Sequence, residues 1–502
     1  MWVWSRPFLG QHGVLDQQLS YFRYCRVLIS YMCNARRIHL FVGPVLFLLC
    51  LWILPGSVFK TVIGKAAIGT VLWMAYWWVT RPVDYAITAF LPIAINALLP
   101  MTGMPAVIAN YSSETVLLLF GASIITLSWE ETGLDKRIAA LFLRLIGDNV
   151  RKQLVFWFLL SVLLSSVLPN SVVCATITPI AVAMLKYVGQ GDIERSKIGS
   201  LILLTIAYAV GVGGLASPLG GAMNLVTIDY IQKLTGEEYM YINWVVKFLP
   251  VMIVLIVSNL TYMLLRTHKG DRLGGAKEFF EHEYGKMAKM TSQEWASLIL
   301  FLIATILSFT RQLYKELLPG LKPAYSFIIC ALLCFFINRT DGKRLMIWKT
   351  TQGKIIWELL FIFAGGMAAG SLITGSSAAR DIGDYIGQLG LSGGIGAICI
   401  FIAVPMILAN VTSNTGAASV VVPIVISVAD GLGQNPIPFI YAATIGVNLA
   451  YMIPTSIRAI PVGYGLPARY MLQEGWKITI LTLLLMTITG YLLMTYWPVF
   501  SQ

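Results

Sequence analysis

Runs of about 20 apolar residues recur along the whole chain, separated by short polar stretches; this is the length a helix needs to cross a hydrocarbon core of about 30 Å. Backbone groups in lipid must be bonded within their own segment, so the runs read as helices, and the period-two alternation of an outer-membrane barrel is missing. Spans are predicted at 40–58, 62–80, 84–103, 114–132, 198–231, 243–266, 296–313, 324–338, 355–375, 437–465 and 476–497. Two further apolar stretches are broken in the middle. The first, 153–187, is interrupted by Pro169, Asn170 and Ser171, and the second, 393–430, turns at Thr412–Thr415. Arms of about 16 residues rise only about 24 Å, short for a full crossing. They predict re-entrant hairpins, whose irregular tips are tolerated at membrane depth only where they line a protein cavity. The expected fold class is an all-α membrane protein with 11 transmembrane helices plus two re-entrant hairpins.

The basic residues supply the sidedness. Residues 1–39 hold Arg6, Arg23, Arg26, Arg36 and Arg37 against Asp16, with no apolar stretch and small-residue cleavage site after them, so they predict a cytoplasmic or interfacial tail rather than a signal peptide. Loop 104–113 carries no Lys or Arg, whereas the segment after the fourth span carries Lys136, Arg137, Arg144, Arg151 and Lys152; the first should face outside and the second inside. Hairpin 153–187 has basic flanks on both sides and should enter from the cytoplasm. No Lys or Arg lies between Arg380 and Arg458, so hairpin 393–430 should enter from outside. The expected division is a first half at 40–266, a mixed-charge cytoplasmic loop at 267–295 and a second half at 296–502, with the N-terminus inside the cell (plasma or inner) membrane and the C-terminus outside.

Composition agrees: 57% of the 502 residues are hydrophobic and 12% charged, about half the charge of a soluble domain. The net charge of +12 is accounted for by the cytoplasmic loops, so no nucleic-acid partner is expected. The seven cysteines show no paired or CxxC spacing and read as small hydrophobes.

The two halves resemble each other. Pro169-Asn-Ser-Val-Val-Cys-Ala-Thr-Ile-Thr-Pro-Ile in the first hairpin parallels Ser413-Asn-Thr-Gly-Ala-Ala-Ser-Val-Val-Val-Pro-Ile in the second, with an Asn nine residues before a Pro-Ile in both. Gly211-Val-Gly-Gly-Leu-Ala-Ser-Pro parallels Gly446-Val-Asn-Leu-Ala-Tyr-Met-Ile-Pro. Opposite entry makes the repeats inverted, and paired interrupted segments in inverted repeats point to a transport site at their interface. Half-helix N-termini suit an anion; unwound carbonyls suit a cation. An enzyme is not expected: the four histidines (His12, His39, His268, His282) lie outside the predicted spans, Glu358 and Asp430 fall near span ends, and no P-loop is present. A channel would want a continuous pore rather than opposed tips.

Those paired tips resemble the divalent anion:sodium symporter family, carriers of di- and tricarboxylates and sometimes sulfate, from about residue 40 onwards. The family's Ser-Asn-Thr tip is intact as Ser413-Asn414-Thr415 and altered to Pro169-Asn170-Ser171 in the first copy. The resemblance implies substrate contacts from Asn170, Ser171, Ser413, Asn414 and Thr415. It also implies sodium beside each tip, held by Ser165, Asn170, Gly213 and Gly214 in the first half and by Thr412, Asn414 and backbone at Ala450 in the second, where Ala409 stands in place of an expected hydroxyl. A homodimer with a scaffold part and a moving part is implied likewise; no cofactor other than coupling sodium is. Arg458 is the most unusual residue, because an Arg near mid-span costs at least about 2.5–3.5 kcal/mol. It is expected either to pair with a substrate anion, to stand in for a second sodium, or to snorkel from a cytoplasmic helix end. The implied activity is sodium-coupled transport of dianions such as succinate, malate or citrate, with a sodium-independent dicarboxylate or sulfate exchanger of the same fold as the alternative.

Overall fold

The computed structural model describes residues 36–501 apart from 144–146, 286–288, 340–341 and 389–393. Most of the expected tail 1–39, with His12, Cys25 and Cys33, and also Arg144, lies outside the described residues. The described residues are mostly helical. Among them eleven helices are long and apolar enough to cross a membrane, but they are not quite the expected eleven: three of them are hairpin arms, and shorter helices stand in the expected spans at 84–103, 324–338 and 437–465.

Each hairpin is a pair of helices meeting at a sharp turn. Val150–Val167 and Asn170–Tyr187 form the first, Ile395–Val411 and Asn414–Gly431 the second. The arms run to 18 residues, longer than expected, so length alone would have let them cross; what marks them as hairpins is where their tips meet. Each is followed by an interrupted span. Lys197–Gly214 breaks before Ala222–Thr235, and Pro436–Asn448 breaks before the 3-10 turn Ser456–Arg458 and the short helix Ala459–Gly463.

The halves share a packing device. A Cβ on Gly213 would stand 2.5 Å from the Val162 carbonyl oxygen, and one on Gly446 would stand 2.3 Å from that of Ile402. In each half the interrupted span therefore lies backbone against backbone on the entering arm of its own hairpin. The halves meet where Thr227 and Thr444 hydroxyls bond at 2.5 Å and Asn448 Nδ2 donates to Asn224 Oδ1 at 3.4 Å.

Several elements depart from expectation. The span at 84–103 is broken into Tyr85–Thr88 and Leu91–Leu98, the latter opening on Pro92. The helix Met104–Ala109 then leads through a 3-10 turn into Glu114–Thr132. Short helices Leu134–Leu143 and Ala378–Gln388 follow the fourth span and its counterpart Trp357–Gly375 as a matched pair, and the loop 267–295 contains Ala276–Gly285. His39 sits in the first helix, Arg36–Ile53, bonded to the Tyr76 hydroxyl.

Glu114–Thr132 crosses Pro323–Cys334 at Gly121, where a Cβ would be 2.9 Å from the Phe327 carbonyl carbon. Gly121→Val is expected to destabilise the protein by about 1–3 kcal/mol through overpacking against backbone, read as a lower melting temperature in detergent.

Candidate functional site

The two tips line one cavity of about 880 Å³. Asn170 and Ser171 come to it from the first hairpin, Ser413, Asn414 and Thr415 from the second, and the breaks contribute Gly220, Gly221, Pro454 and Ile457. Tyr85, Ser123 and Thr126 form part of its wall, and both the Ser123 and Thr126 hydroxyls donate to carbonyls one turn back in their own helix. At the mouth stand Arg81, Lys136 and Lys354 with Glu130, Asp135 and Glu358. Glu358, expected near a span end, lines the cavity. Lys354 bonds Glu131, which pushes the lysine pKa up and keeps it charged there.

The tips are built differently. Ser413 caps the helix Asn414–Gly431, its hydroxyl oxygen accepting from Gly416 N–H at 3.0 Å; its own O–H remains to donate. Pro169 holds the same position in the first hairpin with no side-chain cap, and Asn170 N–H instead donates to the Gly220 carbonyl at 3.2 Å. Both tips aim the positive end of an 18-residue helix into the cavity. Asn414 is buried, and among the described residues neither its Oδ1 nor its Nδ2 has a hydrogen-bond partner. An unsatisfied buried amide costs about 1–3 kcal/mol, and this one lies on the cavity wall.

Behind the first tip, four of the expected ion-binding residues gather. Ser165 Oγ donates to the Val210 carbonyl at 2.8 Å, Gly213 lies against Ser165, and a Cβ on Gly214 would be 3.2 Å from Asn170 Nδ2. A Cβ on Gly220 would fall 2.5 Å from the Ser165 carbonyl oxygen and 2.8 Å from that of Gly214, so two backbone oxygens converge at its Cα. Gly220 was not among the expected ligands. Asn224 holds this break in shape, its Nδ2 donating to the carbonyls of Gly214 and Ser217 at 2.6 and 2.8 Å.

The second tip is more closed. Thr412 Oγ1 donates to Leu408 and Ser413 carbonyls. Ala450 is fully buried in the break. The residue that ties hairpin to break is Asn410, which sequence reasoning missed: its Oδ1 accepts from Met452 N–H at 2.9 Å and its carbonyl accepts from Thr455 Oγ1 at 3.1 Å. An Asn in an otherwise apolar arm was the available signal. Arg458 is 0% exposed and its guanidinium is not part of the cavity wall, which Ile457, Ala459 and Ile460 supply. Snorkelling to an interface is excluded by that burial.

Comparison with known proteins fits this arrangement. The family described as citrate transporter (CitMHS) matches residues 75–446. The sodium-dependent dicarboxylate transporter SdcS of Staphylococcus saprophyticus is 26% identical over 475 residues, 90% of either chain. Its namesake in Staphylococcus aureus strain MRSA252 is 26% identical over 484 residues, 91% of either chain. The crystal structure of the Alcanivorax borkumensis YdaH transporter superposes with a TM-score of 0.51 at 14% identity, covering 78% of this chain and 88% of that one; at that identity the likeness speaks for the fold alone. With most of its length matched by the family, the chain belongs to the citrate transporter family, is divalent anion:sodium symporter-like as its paired tips indicate, and is a transporter rather than an enzyme.

Proposed function

We propose that the chain is a secondary active carrier of small dianions, di- or tricarboxylates such as succinate, malate or citrate, coupled to sodium and working by alternating access as a homodimer in the cell membrane. The observation that carries this reading is the meeting of both hairpin tips in one cavity with the Asn414 amide unsatisfied. Amide and hydroxyl groups on opposed tips bind a carboxylate at each end of a dianion without a charged lining. Asn170, Ser171, Ser413, Asn414 and Thr415 are the substrate contacts. Sodium sits behind the first tip at Ser165, Asn170, Gly213 and Gly214, with the Gly220 neighbourhood completing the oxygen set. The names of the staphylococcal relatives support both dicarboxylate and sodium.

Sidedness has its own support. The ion pairs Lys60–Asp384, Lys322–Glu114 and Arg311–Glu238 each join two loops expected outside, while Arg137–Glu294, Arg266–Glu474 and Lys354–Glu131 each join two ends expected inside. The cavity mouth belongs to the second set, so this is an inward-facing form. In the elevator reading both hairpins and the interrupted spans 198–231 and 437–465 move together across a scaffold.

Ligand-induced stabilisation tests the reading. In sodium buffer, succinate or citrate should raise the melting temperature, because a ligand that binds only the folded state stabilises it, and choline in place of sodium should remove most of that rise. A shift by sulfate alone, indifferent to sodium, would favour the exchanger reading, for which Ala409 speaks.

A further inference from the structure

The second interrupted span carries the least accommodated side chain in the protein. Arg458 closes the turn Ser456–Arg458, is wholly buried, and has no hydrogen-bond partner at Nε, Nη1 or Nη2 among the described residues. The groups whose fields reach it are Tyr208, Tyr451 and Cys174, all uncharged, and Nη2 lies 3.2 Å from where a Cβ on Gly211 would stand. Tyr208 directs its hydroxyl away, donating to the Tyr451 carbonyl. A guanidinium has donors only and keeps its charge at neutral pH. Burying it without a partner costs several kcal/mol, and a membrane adds to that. A charge held at such cost is balanced by something that arrives during the working cycle, and in a dianion carrier that is the substrate's second negative charge.

The second tip meanwhile offers a metal ion one buried, unpartnered side-chain oxygen among the described residues, Asn414 Oδ1, which the reading above gives to the substrate. Ala409, in the place that Ser165 takes in the first half, brings no hydroxyl. The Thr412 hydroxyl, the Asn410 carbonyl and the Asn410 side-chain oxygen are already bonded within the protein. At the first tip the Ser165 and Gly214 carbonyls converge beside Gly220; the Gly214 carbonyl also accepts from Asn224 Nδ2 at 2.6 Å and keeps a second lone pair. The helix after the first break has Gly221 at its N-cap where the helix after the second break has Arg458, so the positive charge is peculiar to the half whose hairpin lacks the Ser165 hydroxyl.

We infer that Arg458 is a built-in coupling cation: it supplies the fixed positive charge that a second sodium ion would otherwise bring, so a dianion is loaded with one sodium, at the first tip, instead of two. This rests on the carrier reading above. It also explains why the guanidinium stands behind the cavity wall rather than in it, since a charge acts through a few ångströms of low-dielectric protein without touching the ligand.

The test is a count of radiolabelled sodium bound per protomer at saturating succinate, by equilibrium dialysis of the full chain in detergent, together with the sodium dependence of succinate uptake in liposomes. The expected result for the unmodified protein is one sodium per protomer and hyperbolic sodium dependence. Arg458→Lys should keep the count and much of the uptake. Arg458→Gln should lose uptake by roughly tenfold or more, about 1.4 kcal/mol, while keeping the stabilisation by sodium that reports an intact first site. Two sodium ions per protomer with sigmoidal uptake overturns the inference, and so does Arg458→Gln transporting like the parent. Should Arg458→Gln fail to fold, the count on the unmodified protein decides alone. An unmodified protein that binds neither succinate nor sodium overturns the carrier reading and this inference with it, whereas two sodium ions alongside robust uptake overturns this inference only.

Discussion

Asn414→Ala is expected to cut succinate uptake at least about tenfold while leaving the melting temperature of the substrate-free protein unchanged or raised. The function loss follows from removing one or two hydrogen bonds to a charged ligand, each worth about 1.5–3 kcal/mol. The stability result has the opposite sign because both polar atoms of the amide are buried and unpartnered in the folded chain. Alanine removes that penalty, and the small hole left at the helix start opens onto the cavity rather than into packed core. A structural Asn would behave the other way, losing stability first and transport as a consequence. The two readouts, uptake in liposomes and melting in detergent, separate the cases.

Gly220→Ala should abolish stimulation of uptake by sodium. The added methyl would stand 2.5 and 2.8 Å from the Ser165 and Gly214 carbonyl oxygens and 3.1 Å from Gly214 Cα. These contacts are all backbone, in a segment clamped by Asn224, so no flexible side chain can swing aside. The methyl would push the two carbonyls apart at the place assigned to the ion. Residual uptake, measured as initial rate against sodium concentration, should no longer depend on sodium. Retained sodium dependence would move the ion away from the first break.

Much of this arrangement was legible from residues alone. Both hairpins, both tips and both breaks could be read because Gly, Pro, Asn and Ser interrupt long apolar runs, a strong contrast in a membrane segment. The matched helices Leu134–Leu143 and Ala378–Gln388 could not, since a short amphipathic helix mixes charge with apolar residues and shows no hydropathy run. The break in 84–103 falls at Ala89 and Phe90, both apolar, and the signal that marks it is Pro92 at the start of the second helix. At the site, Asn414 is legible from its motif and Asn410 only as a lone amide in an apolar arm, whereas Gly220 works through backbone geometry that no side-chain pattern signals. Arg458 was conspicuous as a charge, yet which way it pointed depended on packing against Gly211 and Cys174 from the other half, a contact far away in sequence.

The central claim is that a sodium gradient drives dianion uptake through the cavity between the tips. Its most direct test is labelled succinate uptake into liposomes holding the purified protein, under an inward sodium gradient, with choline in place of sodium and with unlabelled internal succinate as the comparison arms. The account predicts accumulation with the sodium gradient and little uptake in choline. Uptake that is equal in choline and appears only with internal succinate would contradict it and make the protein an exchanger.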